Sequence, residues 1–92
     1  VVAVGRNFVP ALRRFGELYP WLRHKRPDLP RRELLRRAWI IAKFWGAADV
    51  VERLAAEQAD GDRRRRLLRL AALLRRVRDG KLRTLGLRLL TE

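Results

Sequence analysis

The stretch "GDRRRRLLRLAALLRRVRDG" (61–80) decides how the chain is read, because it runs four consecutive arginines into a leucine-rich segment that closes on "RRVR". At about 100° per residue, Leu67, Leu70, Ala71, Leu74 and Val77 fall on one side of a helix. Arg65, Arg69 and Arg76 fall on the other side within a narrow arc. The pattern predicts a two-faced helix with leucines inward and arginines outward. Gly61 breaks the preceding segment, Asp62 is the expected N-cap, and Gly80 is the expected C′ residue after Asp79.

Working outward, "AADVVERLAAEQAD" (47–60) reads as another helix or a continuation of the one before it. It is locally acidic, with Asp49, Glu52, Glu57 and Asp60 set against Arg53 alone. Before it, a helix is expected from Pro30 to about Trp45, capped by Asp28 or Leu29 and with Gly46 as a candidate end. "RPDLP" (26–30) reads as a rigid connector, since each proline biases its predecessor toward extended geometry. Pro10 suits the first turn of a helix through Tyr19. Phe8, Leu12, Phe15 and Tyr19 share a face there, with Arg13 and Arg14 off it. Pro20 is expected to restart or kink the chain for one or two further turns. Residues 1–9 read as an extended arm, and the tail 81–92 as either a short helix or an extended arm. The expectation is one all-α domain over 1–92, a small bundle of about four helices with an extended N-terminal arm.

Residues 31–44 match 64–77 at an offset of 33, with Arg31/Arg64, Arg32/Arg65, Leu34/Leu67, Leu35/Leu68, Arg36/Arg69 and Ala38/Ala71 identical. Lys43 and Arg76 are a conservative pair. A cationic stripe thus occurs twice, as Arg32, Arg36 and Lys43 and again as Arg65, Arg69 and Arg76. The abundance of arginine and leucine leaves coincidence as the competing explanation.

Composition narrows the function. In 92 residues, 23 Lys and Arg stand against 10 Asp and Glu, giving a net charge of +13. Of those cations only Lys25, Lys43 and Lys81 are lysine. Guanidinium binds phosphate and carboxylate bidentately, although a GC-rich genome also enriches arginine. A compact body this charged repels itself unless a polyanion or an acidic partner neutralises it. With no cysteine there is no disulfide and no thiolate metal site. Serine and methionine are also absent, a depletion that fits a thermophilic source or codon bias. The longest apolar run, "AWIIA" (38–42), is too short for a bilayer, and no signal peptide is expected.

Catalysis finds few candidates. Without Ser or Cys, the aliphatic hydroxyls reduce to Thr84 and Thr91 in the tail, and His24 is the single imidazole. In "LRHKR" that histidine reads as solvated or phosphate-facing. "DGD" (60–62) lacks the remaining calcium-ligand pattern and reads as a helix cap. No Gly-rich phosphate loop is present. No catalytic residue, metal site, cofactor or small-molecule substrate is expected, and the chain does not read as an enzyme.

The arginine stripes admit a plain reading, a solvated face that keeps a bundle soluble. The net charge, and acidic residues gathered in one segment instead of along the stripes, favour polyanion binding. Affinity would then come from counterion release at phosphates, without sequence readout. The candidate contacts are Arg32, Arg36, Lys43, Arg65, Arg69 and Arg76, with Arg6, Arg13, Arg14 and Arg64 beside them. Asn7 and Gln58 are the only amides for base readout. Trp39, Trp45 and Phe44 read as core or subunit-interface residues, Trp45 on the core side and Trp39 nearer the basic stripe.

"PWLRHKRPDLPRRE" (20–33) resembles the junction between the first two helices of a high-mobility-group box. The family's tryptophan position is Ala42, however, and its long lysine-rich third helix gives way to an acidic segment. In architecture and composition, a basic, cysteine-free helical chain with an N-terminal arm is similar to the helical major capsid proteins of filamentous and rod-shaped archaeal viruses. That resemblance implies helix–turn–helix subunits that dimerise and wrap A-form DNA, arginine-lined helices against the phosphates.

These readings converge on a non-enzymatic protein that coats and packages nucleic acid, most simply double-stranded DNA, and self-associates along it in a virion or nucleoid. The acidic segment 49–62 would contact basic surface on a neighbouring subunit. The alternatives are an RNA-binding structural subunit of a ribonucleoprotein and a basic amphipathic protein binding a partner or an anionic membrane surface.

Overall fold

The structure, a computed structural model, describes the backbone of residues 2–89 and the side chains of residues 9–89. It is all-α, with three helices instead of about four: α1 (Val2–Lys25), α2 (Arg31–Glu57) and α3 (Gly61–Thr84). Short turns join them, so each runs antiparallel to its predecessor. α1 and α3 each pack on α2 and not on one another. The result is a thin slab of 48 × 28 × 16 Å with α2 in the middle. Its radius of gyration, 14.3 Å, exceeds the roughly 12 Å of an equally long globule, as such a layer must.

The expected arm at 1–9 and the restart at Pro20 are both corrected, because α1 runs from Val2 through both prolines. An interior proline removes the bond to the carbonyl four residues earlier. For Pro20 that carbonyl belongs to Gly16, which is solvent-exposed and has open space around its missing side chain, so water can reach it. Ala11, Leu18 and Leu22 form one buried row along α1 and hold the helix together despite the local cost.

Gly46 does not end α2 but marks its closest approach to α1. A Cβ there would lie 2.6 Å from the Ala11 nitrogen and 2.7 Å from its Cα. Segment 47–57 is therefore the second half of α2. The N-cap of α3 is Asp60 and not Asp62: the Asp60 carboxylate accepts from the Asp62 amide at 2.9 Å. Gly80 lies inside α3, which stops at Thr84 with Gly86 at φ +71°. The Gly86 amide donates to the Arg83 carbonyl and the Leu87 amide to that of Leu82, a Schellman closure.

This closure turns the tail back onto the core. Leu18, Leu22, Leu34, Ala38, Ile41 and Trp45 cluster with Leu82 and Leu85, and Leu87 and Leu89 pack against the cluster. Arg26 locks the same end, donating to the Leu85 carbonyl at 2.6 Å and to both Asp28 oxygens at 3.0 and 2.9 Å. The connector is thus rigid through a guanidinium as well as through its prolines. Residues 90–92 of the tail lie outside the described residues.

The inward row of α3 also differs from expectation. Ala71, Arg78 and Leu82 are buried, Leu67, Leu74 and Val77 are half-buried, and Leu70 is exposed. An arginine occupies the seam because Trp45 offers it an aromatic surface. The Arg78 guanidinium carbon lies 4.7 Å from the Trp45 ring centroid, and that of Arg14 lies 4.1 Å from it.

Candidate nucleic-acid interface

On α3 the outward residues are set by what faces α2. Since Ala71, Arg78 and Leu82 turn inward, Arg65, Arg69 and Arg76 point away from the slab along its edge, and all three are exposed. From Arg65 to Arg76 the ridge covers about 16 Å along the helix axis. Arg83 prolongs it, a residue missed from sequence because the helix was expected to end at Asp79. Arg66 lies about 80° to one side of it and Arg63 farther round the helix, both exposed. None of these six has a carboxylate partner among the described residues. The helix carries ten basic residues against Asp62 and Asp79.

The carboxylates are engaged elsewhere. Asp49 accepts from Arg14 Nε at 2.7 Å and from its Nη2 at 3.2 Å, and lies 3.8 Å from Arg75. One α2 side chain therefore links α1 and α3. Glu52 pairs with Arg75, Glu17 with Arg14 at 3.1 Å, and Asp79 with Arg78 at 3.0 Å. The Asp49 hydrogen bond holds the Arg14 guanidinium above its ordinary pKa, against partial burial. The hydrogen bond from Arg37, at 2.5 Å, holds the Glu33 carboxyl below its ordinary value, and Arg26 does the same for Asp28. Asp49 and Glu52 of the acidic segment 49–62 thus have partners within their own chain. No local pattern signals this, because Arg14 and Asp49 are 35 residues apart.

Of the other expected contacts, Arg32, Arg36 and Lys43 are exposed on α2, with Arg36 4.0 Å from Glu33. Their stripe borders Trp39, which faces α1, whereas the ridge on α3 points away from α2. The two stripes therefore diverge instead of forming one surface. Their 33-residue offset matches position for position the inward rows of the two helices, Leu34, Ala38, Ile41 and Trp45 corresponding in sequence to Leu67, Ala71, Leu74 and Arg78. Arg13 is exposed. Arg64, also exposed, donates to the Gln58 carbonyl at 2.6 Å and closes the α2–α3 turn. Arg14 is engaged as described. Arg6 lies outside the described side chains, as do Asn7 and Phe8.

Among the aromatic candidates, Trp45 belongs to the core of its own chain and is 8% exposed. Trp39 is half-buried and meets Phe15 edge-on at 5.8 Å, while Phe44 is half-buried. His24 is exposed at the end of α1. No aromatic residue lies on α3, so the ridge offers no stacking platform.

Comparison with protein families, with characterised proteins and with solved structures finds no match for the chain. Among the described residues, no helix is long and apolar enough to cross a membrane.

Proposed function

We propose that this chain is a structural nucleic-acid-binding protein that coats duplex DNA through sequence-independent arginine–phosphate contacts. The observation that carries the reading is the outward ridge of α3. Arg65, Arg69, Arg76 and Arg83 share one exposed edge and lack carboxylate partners among the described residues, while six of the chain's carboxylates pair with other arginines. Guanidiniums held on a rigid helix without internal partners are predisposed to bidentate phosphate contact. The lack of aromatic and amide side chains on α3 favours a duplex backbone over stacked single strands or base readout. The expected coating role in a virion or nucleoid follows from the same chemistry and the +13 charge.

The experiment is direct titration of duplexes of unrelated sequence, single strands and anionic vesicles at several salt concentrations. Equal affinity for all duplexes, steeply weakened by salt, is the expected result. Preference for structured RNA would support the ribonucleoprotein alternative, and preference for vesicles the membrane-surface one.

A further inference from the structure

Leu70 and Leu73 remain 43% and 56% exposed on α3, side by side on one flank. Half-buried Val77 continues their row and Arg66 heads it. The row lies about 60–120° around the helix from the arginine ridge. With the ridge against a polymer, these leucines therefore point sideways and not into it. Arg75, which reaches Asp49 and Glu52, occupies the opposite flank of α3.

An unfilled groove lies between α1 and α2, with an apolar wall of Val9, Pro10, Val50 and Leu54. Its charge is balanced, unlike that of the chain as a whole: Arg13, Arg14 and Arg53 are matched by Glu17, Asp49 and Glu57. Glu57 has no ion pair among the described residues. A leucine row headed by an arginine meets apolar surface and an available carboxylate there, without the repulsion it would meet on a cationic face. It cannot do so within one chain, because α3 packs on the far side of α2 with the row turned away from Arg75 and Asp49.

We infer that this groove seats the Leu70–Leu73 row of a second copy. The contact joins unlike surfaces, and in its head-to-tail form it repeats from copy to copy, as a closed ring or an open filament. Its alignment along DNA rests on the proposed nucleic-acid reading, but the contact itself is testable without DNA. In this arrangement the apolar self-association surface is the flank of α3 and the α1–α2 groove.

The chain has no cysteine, so Leu73→Cys and Leu54→Cys each introduce a single thiol. The two variants are mixed under mild oxidation in about 1 M salt, where the screening length falls to about 3 Å and arginine repulsion is relieved. The mixture is expected to form disulfide dimers about tenfold faster than either variant alone. Equal rates, or faster pairing of Leu73→Cys with itself, would overturn the inference. On DNA, Leu73→Glu is expected to bind a duplex long enough for one copy as wild type does, and to fill a long duplex with about tenfold weaker cooperativity. Unchanged cooperative filling would also overturn it. If wild type binds neither duplex, the nucleic-acid reading fails, and the disulfide rates still decide the contact.

Discussion

Arg78 lies with its guanidinium carbon 4.7 Å from the centroid of the Trp45 ring and is only 2% exposed, the one arginine of α3 that belongs to the core. It separates two settings of arginine on this helix: Arg78 is part of the fold, while Arg65, Arg69 and Arg76 are exposed and without carboxylate partners among the described residues. Its stem fills the seam between α2 and α3, and its charge meets Asp79 at the rim.

Replacing Arg78 with Ala is expected to destabilise the protein by about 2–4 kcal/mol, through poorer packing and removal of an aromatic-stacked ion pair. Arg78→Met, which keeps the volume, should cost less than half of that. Thermal melts of the two variants compare the losses. Equal losses would mean that charge, and not packing, governs the seam.

Gly46 and Gly16 give opposite expectations for the same substitution. Gly46→Ala places a Cβ against the Ala11 backbone, where only a shift of a whole helix makes room, and should cost about 1–3 kcal/mol or more. Gly16→Ala meets open space within α1 and should stabilise by about 0.5–1 kcal/mol. Denaturant unfolding of both variants checks the pair.

The same contrast applies to leucines. Leu82 is 1% exposed in the core, so Leu82→Ala should cost about 2–5 kcal/mol. Leu70, although it falls on the stripe expected from sequence, should change stability by no more than about 0.5 kcal/mol when truncated. A melt in which Leu70→Ala is the more damaging would restore the sequence-based seam.

How much of the fold was legible follows from where each signal resides. Helical class and the Arg26–Pro30 connector rest on local chemistry, and both are in the structure. Helix number was not legible, because Gly46 looks like a terminator and becomes a crossing point only once Ala11 is placed against it. Pro10 and Pro20 misled in the same way, since a local breaker was outweighed by a row of buried contacts. The α3 seam differs from the leucine stripe because an arginine, Arg78, lies in it, and nothing near Arg78 in sequence announces Trp45. The exposure of Arg65, Arg69 and Arg76 followed from helical period alone, whereas the pairing of Arg14 with Asp49 is a tertiary fact.

Acid should weaken the fold. The carboxyls of Glu33 and Asp28 are held below their ordinary values by hydrogen bonds from Arg37 and Arg26. Their contribution is complete above the unfolded carboxylate range and disappears as pH falls through the lowered folded values. The melting temperature should be level from about pH 7 to about pH 5 and decline below about pH 4. Glu33→Gln should make that decline shallower, as a pH series of melts would show.

In the proposed function the outward arginines of α3 meet phosphate while Arg14 serves the fold. The most direct measurement is the salt dependence of duplex affinity for Arg69→Gln and Arg14→Gln, each beside a thermal melt. For Arg69→Gln the slope of log affinity against log salt should fall by roughly 0.9 for each phosphate no longer neutralised, with stability unchanged within about 0.5 kcal/mol. For Arg14→Gln the slope should hold while the melting temperature drops, because Asp49 loses both guanidinium hydrogen bonds and, among the described residues, keeps only Arg75 at 3.8 Å. An unchanged slope for Arg69→Gln together with a large drop in stability would contradict the account, placing that arginine against protein carboxylates instead of phosphate.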